Sequence, residues 1–390
     1  MKLPITLIVS IFIVYKTMLI YTIYAFPNIR LIPDHRVTGR CTYSLSDLLT
    51  IALLTFMSGG EDYVDMSLFA EVKARKFGLL AHCDDRSPSP DTFERLMSAV
   101  SPDEIERCLF YHGRAFIDSL KEKQVVIDGK KLRGARPKAR GTKGDYIMNA
   151  FVSENHIMIG RLPLEDKENE ITAIPKLLDK LDVEGAVISI DAIGTQTDIA
   201  AQILDKKADY FLAVKDNQGS LHEAVIDTFR YSTPFDESSE MEADHGRVEM
   251  RRCRVVHAED IEDELTRQRR PGLKTLAEIS SEVSTAGGPT VTTVRHYISN
   301  EDFPHASYYA MPARGHWGIE NQLHWHLDVT FKEDASRARK GFASQNLSMI
   351  RKIALQTVKA HTDKRSIRKR LFLASLDDDY LLKLINNVKF

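Results

Sequence analysis

From Tyr43 to Leu120 apolar residues recur at three- and four-residue spacing, the period of helices that bury one face. The run SLSDLLTIALLTFMSG ends at Gly59-Gly60, a natural helix stop. In SPSPDTFERLMSAV, Ser89 suits an N-cap, Pro90 the first helical position, and Asp91 the first turn, where a carboxylate meets the positive helix end. Residues 30–120 are therefore expected to form a small all-helical domain. Such a unit serves DNA binding and oligomer contacts equally well, and the pattern does not choose.

From Gln124 the period changes. VVID (125–128), YIMNAFV (146–152) and HIMIGRL (156–162) read as short strands, with Ser153-Glu154-Asn155 as a hairpin connection between the last two. A helical stretch (169–181), a strand AVISID (186–191), a helix (197–207) and a strand YFLAV (210–214) follow. The order βββαβαβ describes an α/β fold with a ribonuclease H-like mixed sheet, its first three strands antiparallel and its later strands parallel.

Residues 215–310 break the alternation. MEADHGRVEMRRCRVV and TVTTVRHYIS read as strands flanking a charged helical patch, EDIEDELTRQRR, so a β-rich insertion is expected. Helix returns over 312–327 and 345–361, giving a catalytic-type domain over 121–362 and a polar tail over 363–390.

Residues 1–29 form a separate apolar extension. Within 1–26 only Lys2 and Lys16 are charged, and the longest uncharged run, Leu3 to Tyr15, falls short of the roughly 20 residues of a spanning helix. No small-residue cleavage site follows. A membrane contact, a docked helix and a start codon placed too far upstream all stay open, the membrane span being the least supported.

Composition narrows the class. With 43% apolar and 28% charged residues the chain is globular, and a net charge of −2 argues against a uniformly basic DNA-coating protein while leaving room for local basic surfaces. Cys41, Cys83, Cys108 and Cys253 show no CxxC spacing, so neither a zinc module nor a disulfide framework is indicated and a reducing cytoplasm is the simplest setting.

The candidate chemistry lies at strand ends. Asp128 and Asp191 each close an apolar run, and two acids at the carboxyl ends of adjacent strands repel unless a cation neutralises them. Oxygen ligands without cysteine favour Mg²⁺, or Mn²⁺ as substitute. RGHWGIENQLHWHLD (314–328), read as a regular helix, puts His316, Glu320, His324 and Asp328 on one stripe. Glu320 aimed at both aspartates makes a three-carboxylate pocket for two ions about 4 Å apart, suited to in-line displacement at phosphorus. Competing readings remain: Asp128 before Gly129 as a turn former, the histidine stripe as a zinc site lacking HExxH, or an internal aromatic helix surface.

Basic residues cluster after Asp128: Lys130, Lys131, Arg133, Arg136, Lys138, Arg140 and Lys143, with no acid between them. The run is either a solvated loop or a phosphate grip. Lys130, Lys131, Arg133 and Arg136, with Lys215, Arg314, His316 and Trp317 around the acids, are the expected DNA contacts.

Taken together, VVIDGKKLRG, KENEITAIPKLLDKLD, SIDAIGTQ, AVKDNQGSL, HGRVEMRR and RGHWGIENQLHWHLDVTFKED resemble, in order, the DDE transposases of bacterial insertion sequences, specifically the H-repeat-associated branch. IPDHR, YSLSDLLTIALL and SPSPDTFERL are similar to the N-terminal domain of that branch. The resemblance implies Asp128, Asp191 and Glu320 as the catalytic acids and metal ligands. It further implies action on double-stranded DNA at terminal inverted repeats and target sites, end cleavage with strand transfer, a homo-oligomer on DNA, and a cytoplasmic, nucleoid-associated setting. Asp216 departs from the glycine common in the family, and the first 26 residues are outside its usual pattern. A nuclease without joining activity and an inactive or domesticated DNA-binding relic are the alternatives.

Overall fold

The structure, a computed structural model, describes residues 29–83, 85–114, 117–134, 145–165, 168–244, 246–285 and 287–386. The apolar segment 1–26 and the basic residues Arg136, Lys138, Arg140 and Lys143 lie outside them. The chain divides into two compact units, residues 1–118, 131–145 and 323–390 in the first and residues 119–130 and 146–322 in the second.

The first unit begins with four helices, α1 (Leu45–Met57), α2 (Tyr63–Val72), α3 (Pro90–Ala99) and α4 (Pro102–Arg114). Ser44 caps α1 by accepting the Asp47 N–H at 3.0 Å, and Asp62 caps α2 through the N–H groups of Val64 and Asp65. The expected start of α3 is present, with Pro90 at its first position. Ser89, however, makes no side-chain cap bond; its hydroxyl lies 3.2 Å from that of Thr92. Every α1 residue except Ser46 is buried, as an all-round apolar helix must be inside a helical layer.

The second unit holds a nine-stranded mixed sheet in the order β3-β2-β1-β4-β5-β9-β8-β7-β6. β1 (Gln124–Lys131), β2 (Tyr146–Val152) and β3 (Ile157–Pro163) come first, and β2 and β3 form the expected antiparallel hairpin. After α5 (Glu170–Asp179), β4 (Val187–Ile190) pairs parallel with β1; after α6 (Thr197–Asp205), β5 (Asp209–Val214) pairs parallel with β4. Near-continuous burial of β1, β4 and β5 marks them as central strands.

Residues 215–310 do not stand apart from this sheet. They contribute α7 (Gly219–Tyr231), β6 (Asp236–Asp244), β7 (Arg247–His257), the short α8 (Glu264–Gln268), β8 (Thr275–Thr285) and β9 (Val291–Ser299). β9 pairs antiparallel with β5, and β8, β7 and β6 continue the antiparallel series, so the expected insertion extends the sheet by four strands. Backbone groups left open on the far edge of β5 are thereby satisfied.

α9 (Ala306–Ile319) follows, and here the expected regular helix fails. Glu320–His324 and His326–Thr330 are π-helical, with one more residue in each hydrogen-bonded turn. Along these turns His316 and His324 are buried, Asp328 is half-buried and Glu320 is exposed.

Three further helices, α10 (Ala343–Ala360), α11 (Ile367–Leu376) and α12 (Asp378–Asn386), belong to the helical unit. α10 packs on α1, α3 and α4, with Asn346 donating to the carbonyls of Met97 and Val100 at 2.9 Å. No described helix is long and apolar enough to cross a membrane.

Candidate active site

The parallel β1–β4 pairing ends at Ile127 opposite Ile190, so the next residues, Asp128 and Asp191, stand at one level beyond it; β4 ends there, whereas β1 runs on to Lys131. Both side chains are half-buried and line one cleft of about 450 Å³, together with Glu320, Lys215, Asp216, His222, Arg295, His296, His316 and Trp317. A carboxylate oxygen of Glu320 lies within 4.8 Å of one on Asp128. Asp191 sits on the same cleft outside that grouping, its Oδ1 accepting the Ile193 N–H at 3.1 Å. Like charges this close are costly without a cation, and carboxylate oxygens suit a hard divalent ion.

Polar ties seat α9 on the sheet. Gln124 Nε2 donates to Ser189 Oγ at 2.7 Å and to the Pro312 carbonyl at 2.8 Å, and Ser153 Oγ donates to the Gly315 carbonyl at 3.3 Å. Gly315 is required by space: a Cβ there would stand 1.9 Å from Gln124 Oε1. His316 Nδ1 lies 3.2 Å from Ser189 Oγ, and burial pulls its imidazole down to about 4, overriding the opposing effect of Asp191 and Glu320. His316 is thus neutral at ordinary pH.

A fourth carboxylate borders the site. Tyr146 donates its phenol to Glu170, the first residue of α5, and both pack on Gly129, where a Cβ would come within 2.5 Å of the phenol oxygen and 2.8 Å of Glu170 Oε1. Burial raises the Glu170 carboxyl; the Tyr146 hydrogen bond opposes this and the Asp191 charge adds to it.

The structure distributes the expected DNA contacts unevenly. Lys215 is exposed on the cleft, and Trp317, 40% exposed, carries the Arg295 guanidinium 4.2 Å from its ring centre. His316 is buried behind them. Arg314 is bound to Glu240 at 3.2 Å and Glu242 at 2.5 Å, and Arg133 to Asp334 at 3.8 Å. Lys130 is buried and Lys131 half-buried, while Arg136 is outside the described residues. Sequence reasoning missed Arg295, Glu170 and Tyr146. An arginine inside a strand run gives no signal, whereas the Asp-Gly step at 128–129 hints at a close neighbour.

Residues 119–356 match the family model described as "Transposase DDE domain", and residues 27–112 match the one described as "DDE_Tnp_1-associated". The chain is 33% identical over 366 residues to the "H repeat-associated putative transposase YhhI" of Escherichia coli (strain K12), covering 92% of this chain and 96% of the relative. It is 34% identical over 371 residues to the "Putative transposase YncI" of Escherichia coli O157:H7, covering 92% and 93%. A further relative, the "Uncharacterized protein in dhlA 3'region" of Xanthobacter autotrophicus, is 38% identical over 268 residues, 65% of this chain and 87% of its own length. The chain belongs to the DDE transposase family, with its H-repeat-associated members among the relatives.

Proposed function

We propose that the cleft carries out Mg²⁺-dependent cleavage of DNA ends and their transfer to target DNA. One observation carries the reading: two aspartates follow the last paired residues of adjacent parallel strands at one level, and the Glu320 carboxylate closes to within 4.8 Å of Asp128. Asp128, Asp191 and Glu320 hold the metal, Mg²⁺ or Mn²⁺, in a ribonuclease H-like arrangement of the central strands. When bound, a pair of such ions supplies an activated water or 3′-hydroxyl and stabilises the leaving oxygen. Around it Lys215 neutralises phosphate charge, and neutral His316 fixes the turn that presents Glu320. The helical segment 30–120 and the basic run after Asp128 supply further contacts to double-stranded DNA, terminal inverted repeats and target. The assembly acts as a homo-oligomer in the cytoplasm, at the nucleoid.

The test is incubation of full-length protein with the DNA flanking its gene, with Mg²⁺ or with EDTA, comparing wild type with Asp191→Ala. Cation-dependent cutting and joining by the wild type alone is expected. Equal cutting by both proteins defeats the assignment of Asp191, and cutting without joining makes the protein a nuclease.

A further inference from the structure

Five groups that can carry positive charge line the cleft beside the acids: Lys215, His222, Arg295, His296 and His316. Three are spoken for. His222 Nδ1 lies 3.0 Å from Asp216, His296 Nε2 lies 3.3 Å from Glu278, and His316 is buried against Ser189. Lys215 and Arg295 make no ion pair or side-chain hydrogen bond among the described residues. Pairing of Val214 with His296 sets the two opposite each other where β5 ends, one strand beyond Asp191.

Arg295 is half-buried, and its guanidinium lies over the Trp317 ring at 4.2 Å. The guanidinium thus covers one face of the indole, and Tyr297, two residues along the same strand, is 2% exposed. A stacked guanidinium loses little hydration and little rotamer freedom when its edge donors meet an anion. Arg251 on β7 and Arg314 on α9 are neutralised by Glu240 and Glu242, and Arg254 on β7 by Glu278, whereas the exposed Arg252 does not line the cleft. Arg295 has its in-plane donors open among the described residues.

We infer that Arg295, braced on Trp317 and set opposite Lys215, grips a backbone phosphate of the DNA strand lying in the cleft. The inference rests on the proposed function and names a binding residue for it. Its fork geometry suits two oxygens of one phosphate, which a lysine reaches only as a point charge.

The experiment uses full-length protein carrying Asp191→Asn, so that DNA is bound and not cut, and a fluorescein-labelled duplex of the flanking DNA titrated at several salt concentrations. Arg295→Ala is expected to weaken binding roughly tenfold and to reduce the slope of log K against log salt by about one. Arg295→Lys restores most of the slope and only part of the affinity. Trp317→Ala lowers affinity with the slope retained, because the charge stays and its brace is lost. Thermal melting and Mn²⁺ binding close to those of the parent show that the variants fold. Unchanged affinity and slope in Arg295→Ala overturn the inference, as does full rescue of affinity by lysine. Cutting by the wild type with an unchanged Arg295→Ala slope defeats this inference alone; a lost slope without cation-dependent cutting defeats the catalytic reading alone.

Discussion

Ser189 Oγ and His316 Nδ1 lie 3.2 Å apart, joining the strand that ends in Asp191 to the helical turn that precedes Glu320. Ser189 also accepts from Gln124 Nε2 at 2.7 Å, so one hydroxyl bridges Gln124 and His316. Removing the hydroxyl leaves buried partners on both sides unsatisfied. Ser189→Ala is expected to cost about 1–3 kcal/mol in urea unfolding and to lower Mn²⁺ affinity. Unchanged values for both would show that this bond does not position Glu320.

Glycines on α9 provide an internal comparison. Gly315→Ala drives a Cβ to 1.9 Å from Gln124 Oε1 and 2.8 Å from Ser153 Oγ, whereas at Gly318 the nearest atom is 3.8 Å away. The first substitution is expected to destabilise by about 1–3 kcal/mol through overpacking. The second is expected to be neutral or to stabilise by up to about 1 kcal/mol, since alanine favours helix. Equal melting temperatures for the two variants would contradict the close seating of this helix.

Gly129→Ala tests the other face of β1. The added methyl meets the Tyr146 ring and Glu170 Oε1 at 2.5 and 2.8 Å, and both must move next to Asp128. Weaker Mn²⁺ binding is expected with far-UV circular dichroism unchanged. Wild-type metal affinity in this variant would separate the Tyr146 and Glu170 pair from the acid cluster.

Glu278 governs a pH dependence of stability. Burial raises its carboxyl, but hydrogen bonds from His296 and Arg254 outweigh that, and the folded value lies below the ordinary 4.5. A depressed carboxylate stabilises the fold above its unfolded value, and the contribution is lost as pH falls through the folded one. Glu278→Gln should therefore reduce stability at pH 7, and the gap to wild type should close as the solution is acidified below the unfolded carboxylate range. A gap independent of pH would assign the loss to packing instead of charge.

Much of the sheet was legible because apolar runs of four to seven residues have few alternatives once bounded by polar turns. VVID and AVISID became β1 and β4, and each acid sits where its run ends. β8 (TLAEISSEVST) was not legible. It is flanked on both sides by strands of the same sheet, so polar residues such as Ser280 and Ser281 occupy positions that local hydrophobicity does not mark. α7 did carry a signal, Leu221, Val225 and Phe229 at four-residue spacing, overshadowed by the β-rich run after it. The π-helical turn from Glu320 had none, since it changes one residue per turn over a single short stretch.

By itself the sequence determined which acids end the apolar runs of the central strands, because that boundary is a local contrast between apolar and polar residues, although β1 itself continues past Asp128 to Lys131. Tertiary structure alone decided that Arg295 and not Arg314 keeps its charge open, and that Gly315 lets a helix settle onto Gln124 and Ser153. Those outcomes depend on partners 22 to 191 residues distant, and whether a cation is neutralised or a methyl fits is fixed by what folding brings within a few ångströms, a quantity that local periodicity does not encode.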